Sequence, residues 1–264
     1  MADNTERING PGVIHKAAAL GAQEVTEAEL AEINKHTLEP LEAADVFTFR
    51  AILCDNEIDR DFERFSLKAL RDLQKLFLGK TIIKDHTWSA DNQVARIYST
   101  ELVETGKTTK AGEEYTQLVA HCYMVKTAGN ADLIAEIKAG IKKEGSVGCA
   151  ASSCVCSICG VDNSKTFCPH WPGRSYAKAS GDKEVCTFLL DGARDAYEFS
   201  LVAVPAQRAA GVHKSYTGET VYAPKEGAEP AEEVTTPPDT EKATTLALRA
   251  RLAANRAKFH TINN

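Results

Sequence analysis

Five of the chain's eight cysteines, Cys149, Cys154, Cys156, Cys159 and Cys168, fall within twenty residues. The stretch CSICGVDNSKTFCPH sets Cys156 and Cys159 at CxxC spacing, then Cys168 and His170 two residues apart. A CxxC turn converges two sulfurs on one ion, and thiolates with an imidazole suit tetrahedral zinc. Cys154 and Cys186 are spare donors for the same ion. The expected cofactor is therefore a structural zinc on Cys156, Cys159, Cys168 and His170, pinning a loop too polar to fold alone. A catalytic zinc needs an open position and an activating base, and nothing in the stretch points to one. The plain alternative is a set of reduced cysteines with no metal.

Two further groups have the types needed for nucleophilic chemistry. His86 ends the short apolar run TIIK, where a side chain can project into a cleft, and Ser146 stands among small residues in EGSVGC. Gly145 and Gly148 permit unhindered approach to a serine nucleophile and backbone amides for an oxyanion. In YEFSLVAVP, read as a strand, Glu198 and Ser200 share one face, so a carboxylate there can orient a histidine. Each feature has a blander counterpart: a histidine within a polar network, a serine in a turn, and a half-exposed strand with polar residues outward.

The elements that must carry these residues are legible in the pattern. VFTFRAIL is β-branched and aromatic, a strand from about Val46. CDNEIDRDFERF is too charged for a strand interior and reads as a loop. Ser66 caps a predicted helix to about Leu78, with Leu67, Leu70, Leu73, Leu76 and Phe77 as its apolar stripe and Gly79 as its stop. TIIK is a short buried strand. QVARIYSTELVE and EEYTQLVAHCYMV form a hairpin across the loop TGKTTKAG. Asn130 caps a helix bearing Leu133, Ile134, Ile137 and Ile141, ended by Gly145, and SVGCAA follows as a strand. VCTFLL and AYEFSLVAVP are two strands split by the turn DGARD.

Residues 1–45 read as a polar arm, a possible propeptide, with one short helix opened by a Thr26–Glu29 capping box. Residues 216–264 read as a tail: an acidic linker with six acids and no base between Glu226 and Glu241, then a basic end. One domain over 46–215 remains, with residues 149–186 as the metal-loop insert. Hydrophobic residues make up 43% of the 264, slightly low for a compact globule, as an arm and a tail require. The formal charge of −6 argues against bulk binding to nucleic acid, and so against a zinc-ribbon nucleic-acid binder. No apolar run approaches the roughly 18 residues that span a bilayer, and MADNTERINGPG lacks the pattern of a secretory signal.

Four stretches in order carry a family resemblance: NEIDRDFERFSLKAL, TIIKDHTWSADNQVARIYS, IKAGIKKEGSVGCAAS and YEFSLVAVPAQRAA. Across about residues 46–213 the chain resembles the prohead serine proteases of tailed bacteriophages, which are distantly related in fold to herpesvirus assemblins. The resemblance implies an α+β fold with a mostly antiparallel, β-barrel-like core and surrounding helices. It implies His86 as general base, Ser146 as nucleophile and Glu198 as third member, with Asp85 as rival to Glu198 and Ser200 as rival to Ser146. It also implies self-association as a dimer or larger assembly, and action inside the procapsid in the host cytoplasm. The partners would be the scaffold or the scaffold-like arm of the major capsid protein, with no membrane and no nucleic acid. A catalytically silent, scaffold-binding assembly protein of the same fold is the alternative. Cys149 stands where the family usually has an aromatic residue, and the Cys/His insert belongs to only some relatives.

Overall fold

The computed structural model describes residues 25–178 and 181–213. The expected acidic linker and basic C-terminal stretch lie outside the described residues, as do the first 24. The fold is α+β, a mostly antiparallel sheet with few helices. Its strands are β1 (Val46–Asp55), β2 (Glu63–Phe65), β3 (Thr81–Lys84), β4 (Ala95–Thr108), β5 (Glu114–Val125), β6 (Gly145–Cys156), β7 (Ser175–Ala177), β8 (Lys183–Val185), β9 (Phe188–Leu201) and β10 (Gly211–His213). Its α-helices are α1 (Glu27–Asn34), α2 (Leu67–Leu76) and α3 (Ala131–Lys138).

The hydrogen-bonded path runs β10–β1–β5–β4–β3–β9–β6. It then closes on itself. Glu144, at the head of β6, bridges Gly211 of β10, the Gly145 N–H donates to the Ala210 carbonyl and the Val212 N–H to that of Lys143. Closure of this kind removes strand edges that would otherwise be open to mispairing. Among the described residues only the β2–β9 and β3–β9 pairings are parallel. β7 and β8 form a separate hairpin beyond the ring.

Helix α2 covers the main core. Ser66 caps it by accepting from the Ala69 N–H, and donates to the Asp191 carboxylate of β9, so the cap ties helix to strand. Such a cap is worth about 1 kcal/mol. The periodic leucines then face inward: Leu70 and Leu73 are fully buried with Phe77, Ile82, Ile97, Leu118 and Phe199. Truncating one of these leucines to alanine costs about 2–5 kcal/mol. The helix stops where expected, with Gly79 at φ +76°.

Helix α1 has the expected capping box, and it does not stand apart from the core. Ile33 is fully buried with Val46, Tyr98 and Tyr123, so the helix seats on β4 and β5. Helix α3 ends earlier than the sequence suggests. Gly140, at φ +72°, follows it, which leaves Ile141 exposed and outside the apolar stripe. Asn130 makes no side-chain cap: its own backbone is already helical, at φ −102° and ψ −5°, and its amide donates to the Val125 carbonyl.

Two expectations along the sheet are corrected. The charged loop before α2 contains a strand, β2, paired to the start of β9. DGARD is no turn: β9 passes straight through it, because β6 supplies a continuous partner. Gly192, at φ +62°, and a register shift between Ala150 and Ala151 absorb the bend.

Candidate active site and metal cluster

Strand β9 lies between β3 and β6, and its register places the candidate residues. Ser200 is opposite Ser146, and Glu198 is opposite Gly148. Directly opposed residues share a face, and so do alternate residues along a strand. Ser146, Glu198 and Ser200 therefore lie on one face, and Phe199 and Leu201 take the other, in the core. Thr81 of β3 also pairs with Glu198, so the end of β3 delivers His86 to that same region.

The chain turns sharply there. Asp85 and His86 both adopt the left-handed region, at φ +54° and +50°. Two consecutive non-glycine residues in that region cost free energy, and they persist only when surrounding contacts over-determine them. The contacts are present. The Asp85 N–H donates to the Leu201 carbonyl, and the His86 N–H donates to Ser200 Oγ at 2.8 Å. His86 Nδ1 then meets Glu198 Oε1 at 2.8 Å. The histidine remains 43% exposed and the glutamate side chain only 4%. An ionised carboxylate only accepts, so Nδ1 donates to Glu198 and Nε2 is the ring nitrogen left for proton transfer.

Burial pushes the Glu198 pKa up, against the opposing effects of the His86 hydrogen bond and charge and of the Trp88 indole. Its second oxygen, Oε2, is buried and makes no hydrogen bond of ordinary geometry. Trp88 is exposed, and its ring lies 5.5 Å from that of Tyr197 beside the pair.

The glycines flanking Ser146 have separate reasons. A Cβ on Gly145 would fall 2.0 Å from the Phe199 ring, and one on Gly148 would fall 2.4 Å from Glu198 Oε1. The first lets the core close beneath the serine. The second makes room for the carboxylate that holds His86. Among the described residues no hydrogen bond joins Ser146 to His86. Bonds of that type commonly tighten only with substrate in place. A cavity of about 210 Å³ borders Ser146, lined also by Asp59, Glu63, Arg64, Phe65 and Gln207.

The rivals fare differently. Asp85 is exposed and hydrogen-bonds through its backbone, while Glu198 takes the imidazole. Ser200 is fully buried, and its Oγ serves the His86 backbone. Sequence reasoning missed Gln207, which lines the cavity beside Ser146. Its side chain accepts from the Asp55 N–H and donates to the Asp55 carbonyl, both at 2.9 Å. The only sequence signal was its place in VPAQRAA.

The Cys/His cluster forms between β6 and β9. Cys156, Cys159, Cys168 and His170 bring their donor atoms within 4.8 Å of one another, a group able to hold a metal ion. Cys159 Sγ lies 3.4 Å from Cys168 Sγ, which lies 3.3 Å from His170 Nδ1. Burial works against a Cys156 thiolate, but hydrogen bonds from the backbone N–H groups of Cys159 and Ile158 and from the Cys168 and Cys186 thiols together hold its pKa below the usual thiol value. Asp162 organises the loop, accepting from the N–H groups of Cys154 and Ser164. Cys149 and Cys154, which the spacing grouped with the loop, are instead residues of β6 paired to β9.

No family model, curated protein or solved structure matches this chain.

Proposed function

We propose that the chain is a serine endopeptidase of the prohead-protease type. It would cut scaffold, or the scaffold-like arm of the major capsid protein, and itself during capsid assembly. The observation that carries the reading is the 2.8 Å contact between His86 Nδ1 and Glu198 Oε1, on the sheet face that also bears Ser146. The finer fold reading, a herpesvirus-protease-like barrel, is supported by the closed ring of strand pairings.

The chemistry follows from that placement. Ser146 Oγ attacks a peptide carbonyl as His86 Nε2 takes its proton. Glu198 holds the ring orientation and offsets the imidazolium charge. A backbone amide near Val147 or Gly148 donates to the developing oxyanion. His86 returns the proton to the leaving amine, the C–N bond breaks, and an acyl ester remains on Ser146. A water then attacks the ester with His86 again as base, releasing acid and free serine. The metal cluster would hold zinc in a structural role, because its position at the far end of β6 leaves it outside this sequence of steps.

The test is mass spectrometry of the full chain co-expressed with its capsid and scaffold proteins, wild type beside Ser146→Ala. Cleavage in the wild type and none in the variant is the expected result. Cleavage that survives in the variant overturns the Ser146 assignment. A wild type that never cleaves with its partners present favours the silent assembly protein.

A further inference from the structure

A fifth donor stands beside the four whose donor atoms lie within 4.8 Å of one another. Cys186 Sγ lies 3.7 Å from Cys156 Sγ. For a tetrahedral ion with zinc–sulfur bonds of about 2.3 Å, the sulfur–sulfur edge is about 3.8 Å. Cys186 is fully buried, and with Cys156 and Cys168 it forms a small core of three cysteines under Ile158, Val161 and Phe188. His170 is only half-buried. Its ring stands edge-on to Tyr176 at 4.6 Å, and the neighbouring Trp171 N–H donates to the Tyr176 hydroxyl.

The backbone also delivers Cys186 to this place. Its N–H donates to the Arg174 carbonyl at 2.8 Å, and its own carbonyl accepts from the Gly173 N–H at 2.9 Å. Two residues later β9 begins, and its first residue, Phe188, pairs with Cys156, the last residue of β6. Cys156 and Cys186 thus sit side by side at one end of the β6–β9 ladder.

We propose that Cys186 is the fourth metal ligand, making a four-thiolate centre of Cys156, Cys159, Cys168 and Cys186. His170 then acts outside the coordination shell, its Nδ1–H donating to the Cys168 thiolate at 3.3 Å. Four thiolates on a divalent ion leave excess negative charge, and an N–H donated to a ligating sulfur offsets part of it. The arrangement gives the ion a mechanical role that a His170 ligand would not. With Cys156 and Cys186 both bound, the metal staples the end of β6 to the start of β9, the two strands that carry Ser146 and Glu198. The proposal rests on the reading of the cluster as a metal centre.

The experiment uses the full chain purified with zinc, with X-ray absorption at the zinc edge and zinc release to a chromophoric chelator. Four sulfurs at about 2.3 Å and no nitrogen are expected in the wild type, unchanged in His170→Ala. His170→Ala and Cys154→Ser should each retain one zinc per chain, while Cys186→Ser loses it at least tenfold faster. A shell of three sulfurs and one nitrogen overturns the proposal and leaves the metal reading standing. So does retention in Cys186→Ser with loss in His170→Ala or Cys154→Ser. A wild type that binds no zinc overturns both. If Cys186→Ser does not fold, the sulfur count in the wild type and in His170→Ala, together with zinc retention in Cys154→Ser, still decides.

Discussion

The Glu198 carboxylate lies directly over Gly148, its cross-strand partner, so that a methyl group at position 148 would sit 2.4 Å from Oε1. Gly148→Ala therefore forces the carboxylate aside while Ser146, His86 and Glu198 all remain present. Overpacking of this kind costs about 1–3 kcal/mol of stability. The proposed mechanism predicts a further loss of about 10–100-fold in cleavage, from misorientation of His86. Cleavage assays at matched folded fraction check this, and wild-type rates in a folded variant would separate Glu198 from the chemistry.

Glu198→Gln tests the tautomer. Glutamine presents an N–H to His86 if its amide turns one way, which moves the imidazole proton to Nε2 and removes the base. The comparable change in a serine-protease triad lowers turnover about 10⁴-fold. The expectation here is a fall of about 10²–10⁴ in kcat with KM little changed. Glu198→Asp should recover part of the rate if the shorter carboxylate still reaches Nδ1. Equal activity in all three proteins would make Glu198 a structural residue only.

Part of this site was legible before the fold. The period of two put Glu198 and Ser200 on one face of a strand, and the register keeps them there. What no periodicity encodes is the pair of left-handed residues at Asp85 and His86, because that conformation is imposed by distant partners, Ser200 and Leu201. The same physics explains the error at DGARD. Locally it has turn composition, yet the β6 ladder outweighs local preference, and Gly192 takes a bend within the strand. Cys186 was visible only as a spare donor. Its nearness to Cys156 depends on the pairing of β6 with β9, which spacing along the chain cannot express.

Removing zinc bound at the proposed centre should act locally. The segment between β6 and β9 rests on the small cysteine core and local hydrogen bonds such as those to Asp162, whereas α2 and β1–β5 rest on the main core. Chelation is expected to speed amide hydrogen exchange across residues 157–187 by at least tenfold and to leave β1 and β5 unchanged. Loss of each 1 kcal/mol would lower Tm by about 2–4 °C in a domain of this size. Unchanged exchange in 157–187 after zinc is shown to be gone would mean that the loop holds itself.

Asp55 gives the pH prediction. It is buried at the end of β1, where burial pushes its pKa up to about 7, even though the Glu57 N–H and the Tyr115 hydroxyl both donate to its carboxylate. In the unfolded chain the group titrates near the ordinary value of about 3.9. Between those two pH values the folded chain holds a proton that the unfolded chain has released. Stability from this group is therefore greatest below about pH 4, declines as pH rises toward 7, and stays at its lowest above 7. Asparagine has nearly the same shape and carries no charge, and its oxygen can still accept from one of the two donors. Asp55→Asn should thus stabilise the protein by about 1–3 kcal/mol at pH 8, with the gain vanishing near pH 4. Urea unfolding at pH 4, 6 and 8 measures it. A difference between the two proteins that does not change with pH would mean Asp55 is ionised in the fold at all three values, and that the Tyr115 and Glu57 donors outweigh its burial.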